Sequence, residues 1–236
     1  MRVITKDRLH QITFMPVIFP VNCYLVDEED GFTLIDAALP GTAPAILRAA
    51  AQLEKPIRRI VLTHAHDDHV GALDALKERN PQLEVYISSR DARLLKGDTS
   101  LLPGEHDTPI KGGVPKKLKT QADVLLSEGD RIGSLEAINV PGHTPGSMAF
   151  LDIRTRALMV GDAFCTRGGT TVSGKLVPTF PFPALATWSK AEAWRSADKL
   201  LAYSPTLLCT GHGPMVEEPL EEMRRAVAMA GRHFTS

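Results

Sequence analysis

Cysteine is scarce in this chain. Cys23, Cys165 and Cys209 are odd in number and widely spaced, so they do not make a disulfide framework, and a reducing cytoplasm is the expected location. Charge of either sign is nearly balanced, with 27 Lys+Arg against 28 Asp+Glu, and the net charge of −1 argues against nucleic acid as a partner held by broad phosphate neutralisation. No apolar run is long enough to cross a bilayer, and residues Met1 to Arg8 lack the apolar segment of a secretory signal, so a membrane partner is not expected either. What remains is an ordinary globular composition, 43% hydrophobic and 23% charged over 236 residues. That length suffices for one substantial core, and a single α/β domain over residues 1–236 is expected.

Alternating and continuous apolar runs predict strands at Gln11 to Phe19, Cys23 to Asp27 and Phe32 to Ile35, the last two joined by a turn at Glu29-Asp30-Gly31. Further strands are predicted at Ile60-Leu62, Leu83-Ile87, Val124-Leu126, Leu135-Val140, Met148-Ile153, Ala157-Val160 and Leu207-Cys209. Helical spacing of Ala43, Ile46, Leu47, Ala50 and Leu53 predicts a helix there, and others follow His69, Ser88-Ser89 and Pro183, with a last one through Leu220, Met223, Val227 and Ala230. Ser88 and Asp91 have the spacing of a capping pair, and Trp188, Ala191, Trp194 and Leu201 are expected on one helical face. Gly97 to Thr120 and Thr166 to Pro183 are rich in Gly and Pro and read as irregular. These two segments are expected to wall a cleft, with Leu101, Leu102, Phe180 and Phe182 as an apolar lining.

The chemistry concentrates in Thr63-His64-Ala65-His66-Asp67-Asp68-His69, directly after the apolar Ile60-Val61-Leu62. Three further groups have the same setting beyond an apolar strand: His143 in Pro141-Gly142-His143-Thr144-Pro145-Gly146-Ser147, Asp162 in Val160-Gly161-Asp162, and His212 in Gly211-His212-Gly213. Loops converge where strands deliver their ends, so four such ends bearing His or Asp point to one site. Imidazole and carboxylate suit Zn²⁺, and also Fe or Mn, and no cysteine in these clusters argues for a closed thiolate site. The seven candidate ligands exceed the four of one structural zinc, so two metals are expected. His64, His66 and His143 would hold one and Asp68, His69 and His212 the other, with Asp162 between. His10, His106 and His233 read as ordinary histidines, the three cysteines as packed residues, and Asp67 as solvated.

The ordered set His64-x-His66-x-Asp68-His69, His143, Asp162 and His212 resembles the metal signature of the metallo-β-lactamase-fold superfamily, over nearly the whole chain. The resemblance implies an αβ/βα four-layer sandwich, two mixed β-sheets flanked by helices, with a binuclear zinc site at one edge. It also implies that Asp162 bridges the metals and that Asp36 stands behind the ligands. True β-lactamases of this fold lack the bridging aspartate. The glutathione thioesterases resembling glyoxalase II add a helical domain, whereas only 24 residues follow His212. The lactonases place a tyrosine after the bridging aspartate, and Ala163 to Ala202 contains none. The expected function is therefore a metal-dependent hydrolase that uses a metal-bridging hydroxide on a small carboxylic ester, thioester or lactone, with Asp68 orienting the nucleophile or moving a proton. An iron-dependent persulfide dioxygenase and a phosphodiesterase are the alternatives. A small molecule is the expected partner, and a homodimer stays open.

Overall fold

In a computed structural model describing residues 1–234, the chain builds two large sheets. The first follows sequence order from edge to edge: β1 (Arg2–Lys6), β2 (Leu9–Phe14), β3 (Val21–Glu28), β4 (Gly31–Ile35), β5 (Ile57–Val61), β6 (Glu84–Ser88) and β7 (Val124–Leu126). Pairing is antiparallel from β1 to β4 and parallel from β4 to β7. Those parallel connections carry helices α1 (Ala43–Gln52), α2 (Asp67–Val70), α3 (Leu73–Arg79) and α4 (Asp91–Leu95). The second sheet comprises β8 (Arg131–Ile132), β9 (Leu135–Asn139), β10 (Met148–Asp152), β11 (Ala157–Met159), β14 (Leu207–Cys209) and β15 (Val216–Glu217). Here β11 and β14 are parallel, and a separate hairpin of β12 (Phe164–Cys165) and β13 (Thr171–Val172) lies between them in sequence. Helices α5 (Phe182–Ala186), α6 (Lys190–Leu201) and α7 (Leu220–Phe234) complete the order.

Period-two alternation sorts side chains into three cores. On β3, Cys23 and Leu25 face α1 and α3 together with Ile46, Leu73 and Leu76, whereas Tyr24 and Val26 face the other sheet. On β10, Met148 and Phe150 meet Tyr24, Ile35 and Val61 across the middle, whereas Ala149 and Leu151 pack with Ala197, Leu200, Met223 and Val227 of α6 and α7. The layers are therefore helix, sheet, sheet, helix, the expected four-layer sandwich.

Several local expectations fail for identifiable reasons. The strand expected over Gln11 to Phe19 ends at Phe14, because Met15 takes a left-handed φ of 44° and the chain turns back, Phe19 N–H donating to Met15 O. An edge strand at Arg2–Lys6, too exposed to show an apolar pattern, pairs with β2. The helix after His69 is two short ones, broken at Gly71-Ala72. The stretch from Thr166 to Pro183 holds β13 and the start of α5. Trp188 precedes α6 instead of lying on it, its indole donating to Thr108 O, and Ala193, Ala197 and Leu200 form the buried face.

Candidate metal centre

Four strand ends bring the seven predicted ligands to one end of the sandwich. His64 and His66 follow β5, His66 in extended backbone, and Asp68 and His69 belong to α2, whose first turn welcomes carboxylates through its dipole. His143 follows β9, Asp162 follows β11 and His212 follows β14, so both sheets contribute. The five histidines and Asp162 are almost wholly buried, whereas the Asp68 side chain stays 25% exposed. Ligand atoms of His64, His66 and His143 lie within 4.8 Å of one another, and so do those of Asp68, His69 and His212. Asp162 stands between the groups. Its Oδ2 is 3.4 Å from His143 Nε2 and 3.2 Å from His212 Nε2, and its Oδ1 is 3.4 Å from His69 Nε2.

Each imidazole turns one nitrogen toward this centre and anchors the other, which fixes ring plane and tautomer. His212 Nδ1 donates to Pro20 O at 2.7 Å, and His66 Nε2 donates to Lys111 O at 2.9 Å. His69 Nδ1 meets Asp36 Oδ2 at 2.7 Å, His64 Nδ1 meets Thr63 Oγ1 at 3.1 Å, and His143 Nδ1 meets Ser173 Oγ at 3.0 Å. Asp36 is itself held by the Thr63 backbone N–H and hydroxyl, both at 2.8 Å. It thus stands directly behind His69, at a left-handed φ of 61°.

Because carbonyls only accept, His66 Nε2 and His212 Nδ1 carry protons, and His66 Nδ1 and His212 Nε2 are the nitrogens that face the centre. His66 Nδ1 lies 3.0 Å from His143 Nε2, and His212 Nε2 faces the carboxylates of Asp68 and Asp162. His64 Nε2, His69 Nε2 and Asp162 Oδ1 are buried with no hydrogen-bond partner. Burial without a partner is costly, and divalent cations shared by these atoms would remove the cost. The donor set fits Zn²⁺, Fe or Mn.

Protonation follows the same logic. Burial pushes the His64 and His143 imidazoles well below their ordinary value and lowers His66 as well, so these three stay neutral. Burial also opposes charge on His69, but the carboxylates of Asp162, Asp36 and Asp68 outweigh it and hold that imidazole well above the ordinary value. His212 is likewise raised, by Asp162 against burial. Asp162 stays ionised, since His212 and His69 overcome the burial that would neutralise it. One half of the site thus attracts positive charge and the other offers neutral ligands.

Sequence reasoning missed the frame around the ligands. Asp91, read as a capping partner, is fully buried and joins the two ligand turns. Its carboxylate accepts from Ala65 N–H at 3.0 Å, Gly146 N–H at 2.9 Å and Thr144 Oγ1 at 2.7 Å. Ser88 fulfils half of the expected cap, accepting from the Asp91 N–H at 3.0 Å, and donates to Gly146 O. Asp67 is exposed as expected. His106 is exposed beside Thr108 and Trp188, and His10 is buried against Phe32. Burial raises the Cys165 thiol to about 12, so it is no nucleophile.

The cavity over the centre measures about 390 Å³. Gly112 and Gly113 wall it, as expected of the long loop, and a Cβ on Gly112 would sit 2.4 Å from His66 Nε2. Phe182 lines it, whereas Leu101 and Leu102 do not, and Phe180 is buried behind, its ring 5.3 Å from that of His212.

A sequence model described as the metallo-beta-lactamase superfamily matches residues 17–212. The uncharacterised protein YobT of Bacillus subtilis (strain 168) is 54% identical, covering 98% of this chain and 99% of its own. The probable metallo-hydrolase YflN of the same organism is 30% identical over 91% of this chain and 84% of its own. A hydroxyacylglutathione hydrolase of Fuscovulum blasticum is 32% identical over 80% of this chain, but the match spans only 60% of that enzyme. Among solved structures, TTHA1623 in a di-iron-bound form superposes with a TM-score of 0.65 at 28% identity, covering 89% of this chain and 96% of its own.

Proposed function

The chain belongs to the metallo-beta-lactamase superfamily, and on that premise we propose that it is a zinc-dependent hydrolase of a small carboxylic ester, thioester or lactone. The observation that carries this reading is the convergence of seven candidate ligand side chains with three buried atoms, His64 Nε2, His69 Nε2 and Asp162 Oδ1, that have no hydrogen-bond partner. Two cations would be held by His64, His66 and His143 and by Asp68, His69 and His212, with Asp162 shared. When bound, such metals lower the pKa of a coordinated water toward neutrality and polarise a carbonyl.

The protein's own groups do the rest. The five anchored imidazoles keep the centre rigid, so little reorganisation is needed as charge develops. Asp68, the most exposed ligand, faces the cavity and is placed to orient the attacking water and take its proton. Water oxygen then bonds to the carbonyl carbon, the C–O or C–S bond breaks, and that proton passes to the departing alcohol or thiol. Similarity to a hydroxyacylglutathione hydrolase supports the thioester member of this set.

The di-iron-bound neighbour makes iron the metal to exclude. Metal analysis of purified protein, followed by assays on esters, thioesters, lactones and a bis-aryl phosphate, tests the reading. Two zincs with ester or thioester turnover, lost at least a hundredfold in Asp68→Asn, is the expected result. Iron with oxygen consumption and no ester turnover would sink it, and turnover of the phosphate alone would replace it with a phosphodiesterase.

A further inference from the structure

The walls of the cavity differ sharply from its floor. Ligands form the floor, and beside them stand Phe19, Leu39, Pro40, Phe182, Pro183 and Leu185. Among the described residues no lysine or arginine lines the cavity, and its charged lining groups besides histidine are Asp67, Asp68 and Asp162. A carboxylate or phosphate laid against these walls, away from the floor, would lose its water with no protein cation there to replace it, at a cost that burial makes larger.

The apolar wall is assembled from two separated segments. Phe19 comes from the turn between β2 and β3, and its ring lies 5.0 Å from that of Phe182 at the start of α5 and 5.5 Å from the imidazole of His212. Phe180 backs both, at 5.3 Å from Phe19 and 5.4 Å from Phe182. Both segments are tied down. Arg167 donates to Val17 O at 2.8 Å, and α5 is joined to the centre through Pro183 O, Thr187 Oγ1, Ser173 Oγ and His143 Nδ1. Yet Phe182 and Leu185 remain 51% and 66% exposed, and Val17 and Ile18, flanking Phe19, 74% and 79%. Large apolar side chains held rigidly in the open beside a reactive centre are explained by a ligand that covers them.

We propose that the acyl group of the substrate is uncharged and apolar, an alkyl chain of several carbons or an aryl group, laid on Phe19, Phe182 and Leu185 while its carbonyl reaches the floor. This rests on the hydrolase reading above. It sets the chain apart from enzymes whose acyl or leaving group carries carboxylates into the cavity.

The test uses metal-loaded protein and thioesters of one leaving group, from acetyl through butyryl and hexanoyl to octanoyl, with succinyl as the anionic counterpart. We expect kcat/KM to rise about two- to fourfold per methylene until the wall is covered, and succinyl to fall below butyryl by at least tenfold. Phe182→Ala and Leu185→Ala, both at exposed positions, are expected to lower the octanoyl-to-acetyl ratio at least fivefold. Turnover that is flat with chain length, a ratio unmoved in both variants, or a preference for succinyl overturns the proposal while leaving the hydrolase reading intact. If no ester is cleaved, the hydrolase reading fails by itself. Calorimetric binding of octanoate against acetate and succinate then decides the wall: tighter binding with length supports it, and equal or weaker binding overturns it.

Discussion

Asp91 shows how much a single buried carboxylate can organise. It has no ion-pair partner among the described residues, yet three donors from two ligand turns converge on it. Burial wins over those hydrogen bonds and pushes its carboxyl up to about 6. A carboxylate raised on folding gives stability that is complete below its unfolded value near 4 and lost as pH rises through the folded value. Metal-stripped protein should therefore lose up to about 3 kcal/mol between pH 4 and pH 6 through this group alone. Urea unfolding of wild type and Asp91→Asn at each pH checks it: the difference between them should shrink in favour of the variant as pH rises, and a difference constant with pH refutes the assignment. The convergence of the seven His and Asp residues was legible because they follow apolar strands at four places. Asp91 was not, because its partners are 26, 53 and 55 residues away and its spacing from Ser88 has a local explanation that is half true. The carbonyls of Pro20 and Lys111 that orient His212 and His66 carry no side-chain signal at all.

Among elements, the strands that place the site were the most readable, since β11 and β14 are wholly apolar, β5 ends in Ile60-Val61 and β9 carries Leu135, Ala137 and Ile138. Turns were readable as glycine-rich but not in their tolerance. Gly211, after β14, has no left-handed φ, so its requirement is purely one of space. A Cβ there would stand 2.2 Å from Asp162 Oδ1 and 2.6 Å from His69 Cε1. Gly211→Ala should consequently displace the central carboxylate and reduce metal content by half or more, as measured by elemental analysis, while far-ultraviolet circular dichroism keeps its wild-type shape. Full metal occupancy in a folded variant would show that the turn yields and that its closeness has no consequence. The aromatic wall was partly legible for the opposite reason. Phe182 was singled out, but Phe19 was assigned to a strand that in fact stops at Phe14, and its place in a turn over His212 depends on that early stop.

Across the molecule, the centre occupies the one end where the two sheets are both obliged to contribute. His64, His66, Asp68 and His69 follow the first sheet's β5, and His143, Asp162 and His212 follow strands of the second. The sheets already share a core around Tyr24, Val61, Met148 and Phe150, but at the site end buried imidazoles and carboxylates face one another, three of their atoms without a hydrogen-bond partner. Metal ions bound there would join the layers as a cross-link does, and they would stabilise only the folded chain, where the seven ligands meet. At a thousandfold excess over the dissociation constant, one such site adds about 4 kcal/mol, equivalent to roughly 8–16 °C in the midpoint for a chain of this size. Thermal unfolding before and after chelation, and again after zinc is restored, should show a fall of that order and its recovery. Acidification should produce the same fall without chelator, because the neutral His64, His66 and His143 must then accept protons in place of metal. An unchanged midpoint in protein shown to have lost its metal would mean that the protein contacts alone hold the two sheets at this end, and that the ligand set serves the reaction without serving the fold.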